Sequence, residues 1–296
     1  MRAARLTGWR APLEIGEVGE PACPRDGVVV DVLACGICRS DWHVWSGADP
    51  VDLPHIPGHE YCGVVVEAGV DVRGWRVGDR VIAPFILACG ACGDCRAGNQ
   101  TICATQVLPG FTCDGAFAER VAVAHADANL TRLPEGMDPA LAAALGCRVT
   151  TAWHALTGRA ALRPGEWLGV WGGGGVGMAA LMLGKAMGAR VALADVVPAK
   201  LKQARDLGAE VVIDASGEGA AEAMREATGG GADVAGGGAG PPLTHPQPPG
   251  FPEKTGRLGE GGQAARGQPG EEPARGWGFC GQPPRLWHGG LPAPPH

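Results

Sequence analysis

The strongest constraint on what this chain can fold into is Cys89-x2-Cys92-x2-Cys95-x7-Cys103. Four thiols this close in sequence must converge in any compact fold, where they either oxidise or surround one ion. The spacing is of the metal-ligand kind, and four thiolates close a tetrahedron around zinc at about 2.3 Å per bond. No position is then left for water, so such a zinc stabilises a lobe and performs no chemistry. Gly90 and Gly93 are read as the residues that let the chain curl between the early sulfurs.

The wider cysteine usage fits that reading. Eleven cysteines in a secreted chain would point to disulfides, but here their spacings are those of ligands, which places the protein in a reducing cytoplasm. The segment from Met1 to Val18 has no apolar run of the kind found in a signal peptide, and no stretch approaches the length of a membrane span. A net charge of −6 without a long basic block argues against a nucleic-acid partner.

The hydrophobic pattern changes along the 296 residues, which suffice for two domains. Short β-branched runs separated by glycine turns, at 28–33, 61–68, 79–83 and 116–124, predict an all-β, barrel-like first part. Beyond Asp138 strands and helices alternate. Strands are expected at 167–171, 190–194 and 210–213, and helices at 176–187, 198–207 and 219–227. This alternation predicts a parallel sheet with helical crossovers. The expected divisions are 1–148, carrying the lobe at 89–103, then a partial cofactor domain at 149–235, then a tail at 236–296. Residues 241–296 hold 13 prolines and 12 glycines, above the roughly 25–30% level that marks low-complexity chains. The tail is therefore read as disordered and the parallel sheet as truncated.

Two further constellations carry chemistry. Cys38, His59 and Cys147 come from three distant segments, and two cysteines with one histidine suit a zinc ion with one open position. Such a zinc acts as a Lewis acid on an alcohol or carbonyl oxygen. Cys35 competes with Cys38 for the ligand role, and spacing does not separate them. Asp41 and Glu60 are natural groups to orient the ligating side chains, while Ser40 and His43 can pass protons. The second constellation is Gly172-Gly173-Gly174-Gly175-Val176-Gly177, between an expected strand and an expected helix. Asp195 ends the next strand. Glycines allow close approach to a pyrophosphate, the helix N-terminus favours its charge, and the acid grips ribose hydroxyls. An acid at 195 disfavours a 2′-phosphate, which selects NAD over NADP.

Together, GICRSDWH (36–43), GHE (58–60), the four-cysteine lobe, GCRVTTAW (146–153) and GGGGVG (172–177) resemble the zinc-dependent alcohol dehydrogenases of the medium-chain dehydrogenase/reductase family. The resemblance covers residues 1–235 in the family's order. A Cys₂His zinc with one open position is itself the established alcohol dehydrogenase site, so the match and the chemistry are not independent.

The resemblance implies a GroES-like β-barrel domain followed by a Rossmann doubly wound parallel sheet. It implies Cys38 rather than Cys35 as ligand, with His59 and Cys147, and Glu60 able to approach the metal. Ser40 and His43 become the proton relay to solvent. Arg39 is implied at the cofactor pyrophosphate and Thr151 beside the nicotinamide. Gly172, Gly174, Gly175, Val176 and Gly177 form the dinucleotide turn, and Asp195 and Lys200 lie at the adenosine ribose. Phe85 and Trp42 are implied near the substrate. The expected activity is reversible oxidation of a primary or secondary alcohol by NAD, with one catalytic and one structural zinc, in a homo-oligomer. The tail departs from the family's pattern, and its composition resembles a GC-rich gene read in a shifted frame. The competing expectation is therefore an inactive zinc-binding fragment.

Overall fold

The computed structural model describes residues 1–237 and 257–260. The chain divides into two compact units. The first holds Met1–Gly158 with Met178–Leu183, and the second holds Arg159–Gly177 and the described residues from Gly184 on.

The first unit opens with a hairpin of β1 (Arg2–Arg5) and β2 (Glu14–Glu17). Next come β3 (Val28–Gly36), α1 (Arg39–Ser46), β4 (Glu60–Ala68), β5 (Arg80–Ile82), α2 (Gly93–Arg96), β6 (Arg120–Val123), α3 (Ala126–Asn129) and β7 (Thr131–Arg132). Five of these strands form an antiparallel sheet in the order β6-β3-β4-β5-β7. Val28, Val30, Tyr61, Val65, Val81, Val121 and Val123 fill its core. This is the alternation of a half-buried sheet, with β-branched residues on the inner face. The unit ends in a continuous helical run: α4 (Pro139–Ala144), a π turn over Leu145–Val149, α5 (Thr150–His154) and a second π turn over Ala155–Arg159. The division expected after residue 148 falls inside that run, which stays with the first unit to Gly158.

The second unit contains β8 (Trp167–Trp171), the two ends of α6 (Gly175–Ala186), β9 (Arg190–Asp195), α7 (Pro198–Asp206), β10 (Val211–Asp214), α8 (Ala220–Ala227), β11 (Val234–Gly237) and β12 (Arg257–Glu260), the middle of α6 being counted with the first unit. Its sheet is parallel throughout, in the order β10-β9-β8-β11-β12. All five residues of β8 are buried, as a central parallel strand requires. The strand order reverses between β8 and β11, the position at which doubly wound sheets bind ligands beyond the carboxyl ends of their strands. Among the described residues no helix is long and apolar enough to cross a membrane.

Residues 236–296 carry no strand-like pattern, yet Gly236 and Gly237 complete β11, and Arg257–Glu260 pairs with it in parallel, Val234 opposite Arg257. Ladder bonds are made by backbone groups, so an existing edge can order a segment whose side chains favour no strand. The parallel sheet therefore has two strands, β11 and β12, beyond the three that the side-chain pattern predicts. The remainder of the expected disordered tail lies outside the described residues.

Candidate active site

The antiparallel register of β3 and β4 brings the first two ligand segments together. Gly36 pairs with Glu60 at the end of that ladder, so Cys38 begins α1 close to His59. Gly36 has to be small, because an added Cβ would meet the Glu60 Oε2 at 2.4 Å. Cys38 caps α1, and the Asp41 Oδ2 accepts its backbone N–H at 2.7 Å. The third segment is the π turn carrying Cys147. It is tied to the first unit where the Phe85 N–H donates to the Gly146 carbonyl at 3.0 Å. A π turn widens the helix locally, a feature common at functional sites.

One donor atom each from Cys38, His59, Glu60 and Cys147 lies within 4.8 Å of all the others. His59 and Glu60 are fully buried, and Cys147 nearly so. The Asp41 Oδ1 lies 3.0 Å from the His59 Nδ1 and also accepts from the Gly58 N–H at 3.2 Å. An ionised carboxylate only accepts, so Nδ1 carries a proton and Nε2 is the ring nitrogen that can offer a lone pair to a metal. That Nε2 is buried and has no hydrogen-bond partner. A buried nitrogen left orphaned beside two sulfurs fits a metal ion.

The electrostatics agree. The hydrogen bond from Cys147 lowers the Cys38 thiol to about 3, against burial and with help from His59. Cys147 moves up, through that same bond and through burial. Burial pushes His59 down, but Asp41 and the Cys38 sulfur outweigh it and bring the ring up to about 9. Surroundings that ionise the Cys38 thiol and set anionic partners around His59 favour a cation among these atoms.

Cys35 is separated from the site by geometry. A register shift between Val32 and Ala34 leaves Leu33 exposed and turns Cys35 back into the sheet core beside Tyr61. Burial pushes its thiol up.

The remaining residues expected here divide between α1 and the helical run. Ser40 is buried, 3.9 Å from the Cys38 sulfur. His43 lies one turn further along α1, 3.9 Å from Asp49, and burial lowers its pKa. Arg39 is exposed with its guanidinium 4.2 Å from the Trp42 ring centre. Thr151 is half-buried on α5. Phe85 and Phe111 both stack edge-on or tilted against His59, at 6.2 and 5.0 Å between ring centres. Phe111 carries no local signal and is absent from the sequence reading.

The four-cysteine lobe is closed. The Cys89–Cys95 and Cys92–Cys103 sulfurs are 3.9 and 4.0 Å apart, near the edge of about 3.8 Å implied by zinc–sulfur bonds of about 2.3 Å. Backbone N–H groups of Ala91 and Cys92 point at the Cys89 sulfur, and that of Cys95 at the Cys92 sulfur. The Ala91 N–H leads the effects that lower Cys89 to about 6. Gly90 has φ +70, but Gly93 has an ordinary backbone and open space at its Cβ position, so its expected role in curling the chain is withdrawn. Asn129 clamps the neighbouring Ala88 through both backbone groups, at 2.8 and 2.9 Å, a role with no motif to announce it.

In the second unit the turn after β8 is tight. Gly172 has φ +93, and a Cβ on Gly177 would lie 1.8 Å from the Gly172 carbonyl oxygen. Gly174 is half-buried, and Gly175 and Val176 open the first turn of α6. Asp195 ends β9. Its Oδ2 accepts from the Gly173 N–H at 2.6 Å and its Oδ1 from the Val197 N–H at 2.8 Å, with the Lys200 Nζ 3.6 Å away. The structure thus joins Gly172–Gly177, Asp195 and Lys200 at one sheet end.

Comparison with known proteins matches two stretches of the chain. Residues 24–135 match the alcohol dehydrogenase GroES-like domain, and residues 175–257 match the zinc-binding dehydrogenase family. The second match runs past residue 235, where the motif resemblance stops. An alcohol dehydrogenase of Geobacillus stearothermophilus is 40% identical over 233 residues, 78% of this chain and 68% of that protein. The solved alcohol dehydrogenase TADH from Thermus sp. ATN1 superposes with a TM-score of 0.83 at 29% identity, covering 91% of this chain and 79% of that one. A zinc-binding dehydrogenase structure from Sinorhizobium meliloti 1021, bound to NADP, gives a TM-score of 0.81 at 30% identity, with 91% and 79% covered.

Proposed function

The chain belongs to the zinc-dependent alcohol dehydrogenases of the medium-chain dehydrogenase family, and we propose that it reversibly oxidises a primary or secondary alcohol to the aldehyde or ketone with hydride transfer to NAD. The observation that carries this reading is the orphaned His59 Nε2, buried among the Cys38 and Cys147 sulfurs and set there by Asp41.

Cys38, His59 and Cys147 hold the catalytic zinc. When bound, zinc supplies a Lewis acid that lowers the pKa of an alcohol hydroxyl, and NAD supplies the hydride acceptor. Ser40 receives the hydroxyl proton, and His43, one turn along α1, passes it to solvent. The burial that lowers His43 keeps its ring neutral, as an acceptor must be. Phe85 and Phe111 give the substrate an apolar wall beside His59. Cys89, Cys92, Cys95 and Cys103 hold a second, structural zinc. None of the described cysteines is in a disulfide, which leaves all six of these sulfurs available as ligands.

For the cofactor, the Gly172–Gly177 turn leaves room for a pyrophosphate at the start of α6, and the Asp195 carboxylate accepts from ribose hydroxyls. The Sinorhizobium relative was solved with NADP, but a carboxylate at 195 repels a 2′-phosphate, which favours NAD for this chain. The test is turnover of a primary and secondary alcohol series with each cofactor, in the parent and in Cys38→Ser. The expected result is NAD-linked activity that the substitution abolishes while one zinc remains. Full activity in Cys38→Ser overturns the assignment.

A further inference from the structure

Arg148 follows the third ligand and joins the three ligand segments. Its Nε donates to the Glu60 Oε1 at 3.0 Å and its Nη2 to the Glu60 Oε2, a two-point grip on a fully buried carboxylate. Its Nη2 also donates to the Ile37 carbonyl at 2.9 Å, one residue before Cys38. Gly36 lies against the same Glu60 Oε2, where an added Cβ would meet it at 2.4 Å. Glu60 nevertheless belongs to the donor cluster, with an oxygen within 4.8 Å of the Cys38, His59 and Cys147 donor atoms.

We propose that Arg148 is a positioning residue that holds Glu60 off the metal and so keeps the fourth coordination position open to substrate. Two thiolates already neutralise a dication. A third anion at the metal would occupy the open position and weaken its pull on an alcohol oxygen. Glu60 is fully buried, and a buried carboxylate needs a partner. Among the described residues the Arg148 guanidinium pairs with it, and a metal held by Cys38, His59 and Cys147 would be the alternative. The fork geometry of arginine satisfies both carboxylate oxygens together, which lysine cannot do. Loss of that grip turns Glu60 from a neighbour of the metal into a ligand.

This inference rests on the assignment of Cys38, His59 and Cys147 as ligands, and the experiment separates the two. Both zinc sites are loaded with cobalt(II), and the visible absorption of the metal is followed during titration with imidazole, which needs an open position. The saturated lobe at 89–103 does not respond, and Cys38→Ser marks its contribution. A parent protein with no response to imidazole overturns the ligand assignment and this inference with it. If the parent responds, Arg148→Ala should bind imidazole about tenfold or more weakly, and Arg148→Ala with Glu60→Ala should recover toward the parent value. Parent-like binding in Arg148→Ala overturns the inference, and so does a double variant as weak as the single one. If the alanine variant does not fold, Arg148→Lys keeps the charge without the two-point grip and should also bind imidazole more weakly. Parent-like binding there is equally decisive against it.

Discussion

The Asp41 carboxylate accepts a hydrogen bond from the His59 Nδ1–H at 3.0 Å with one oxygen and from the Cys38 backbone N–H at 2.7 Å with the other. One side chain thus fixes the tautomer of one candidate ligand and the chain entry of another. Asp41→Asn keeps the size and loses the charge that supports His59. Metal retention at this site should fall by about tenfold or more, read as faster loss of one of two zinc equivalents to a chelator. Unchanged retention would mean that Asp41 is only a helix cap.

The four-cysteine lobe depends on a residue outside it. Asn129 pairs both backbone groups of Ala88, which is fully buried beside Cys89. Asn129→Ala leaves two buried polar groups without partners, at about 1–3 kcal/mol each. Thermal denaturation should start lower, and the lobe should lose its zinc first, with Cys38 and Cys147 still loaded. A variant that melts like the parent would show that α3 holds the lobe by packing alone.

These two sites were legible to different degrees. The lobe could be read because all four ligands fall within one short stretch, where spacing determines geometry. The second donor set could be paired only through the family resemblance, because β3–β4 register brings Cys38 to His59 and a π turn delivers Cys147. Local sequence also could not separate Cys35 from Cys38. A strict alternation places Cys35 on the face opposite Val32, and only the shift between Val32 and Ala34 returns it to the core. Helix α1 was hidden because its residues read as a string of site groups. Strand β12 was hidden because Arg257–Glu260 owes its conformation to the edge of β11. By contrast β8, with every residue buried, announces itself as an apolar run.

Gly177 tests the cofactor turn by sterics. Its missing Cβ is the space in which α6 approaches the Gly172 carbonyl, at a distance no side chain tolerates. Gly177→Ala must move the turn or the helix, at a cost of about 1–3 kcal/mol. The expected signature is twofold: a lower melting temperature, and loss of the stabilisation that added NAD gives the parent. Undiminished protection by NAD would show that the dinucleotide does not use this turn.

Asp195 bears on cofactor choice, and here two roles have to be separated. Its carboxylate accepts from the Gly173 and Val197 N–H groups and faces the Lys200 ammonium, so it both braces the turn and sets the local charge. Asp195→Asn keeps an acceptor for either N–H and removes the charge. Two unit charges about 4 Å apart repel by about 1–4 kcal/mol between bulk water and a protein surface. Without that repulsion, and with Lys200 freed to meet a phosphate, the NADP-to-NAD ratio of kcat/KM should rise about tenfold or more, since a decade is about 1.4 kcal/mol. The melting temperature separates the roles. A ratio that rises while stability holds assigns the charge to cofactor selection. A ratio that stays fixed while stability drops makes Asp195 a brace for Gly173, and the preference for NAD must then come from elsewhere in the chain.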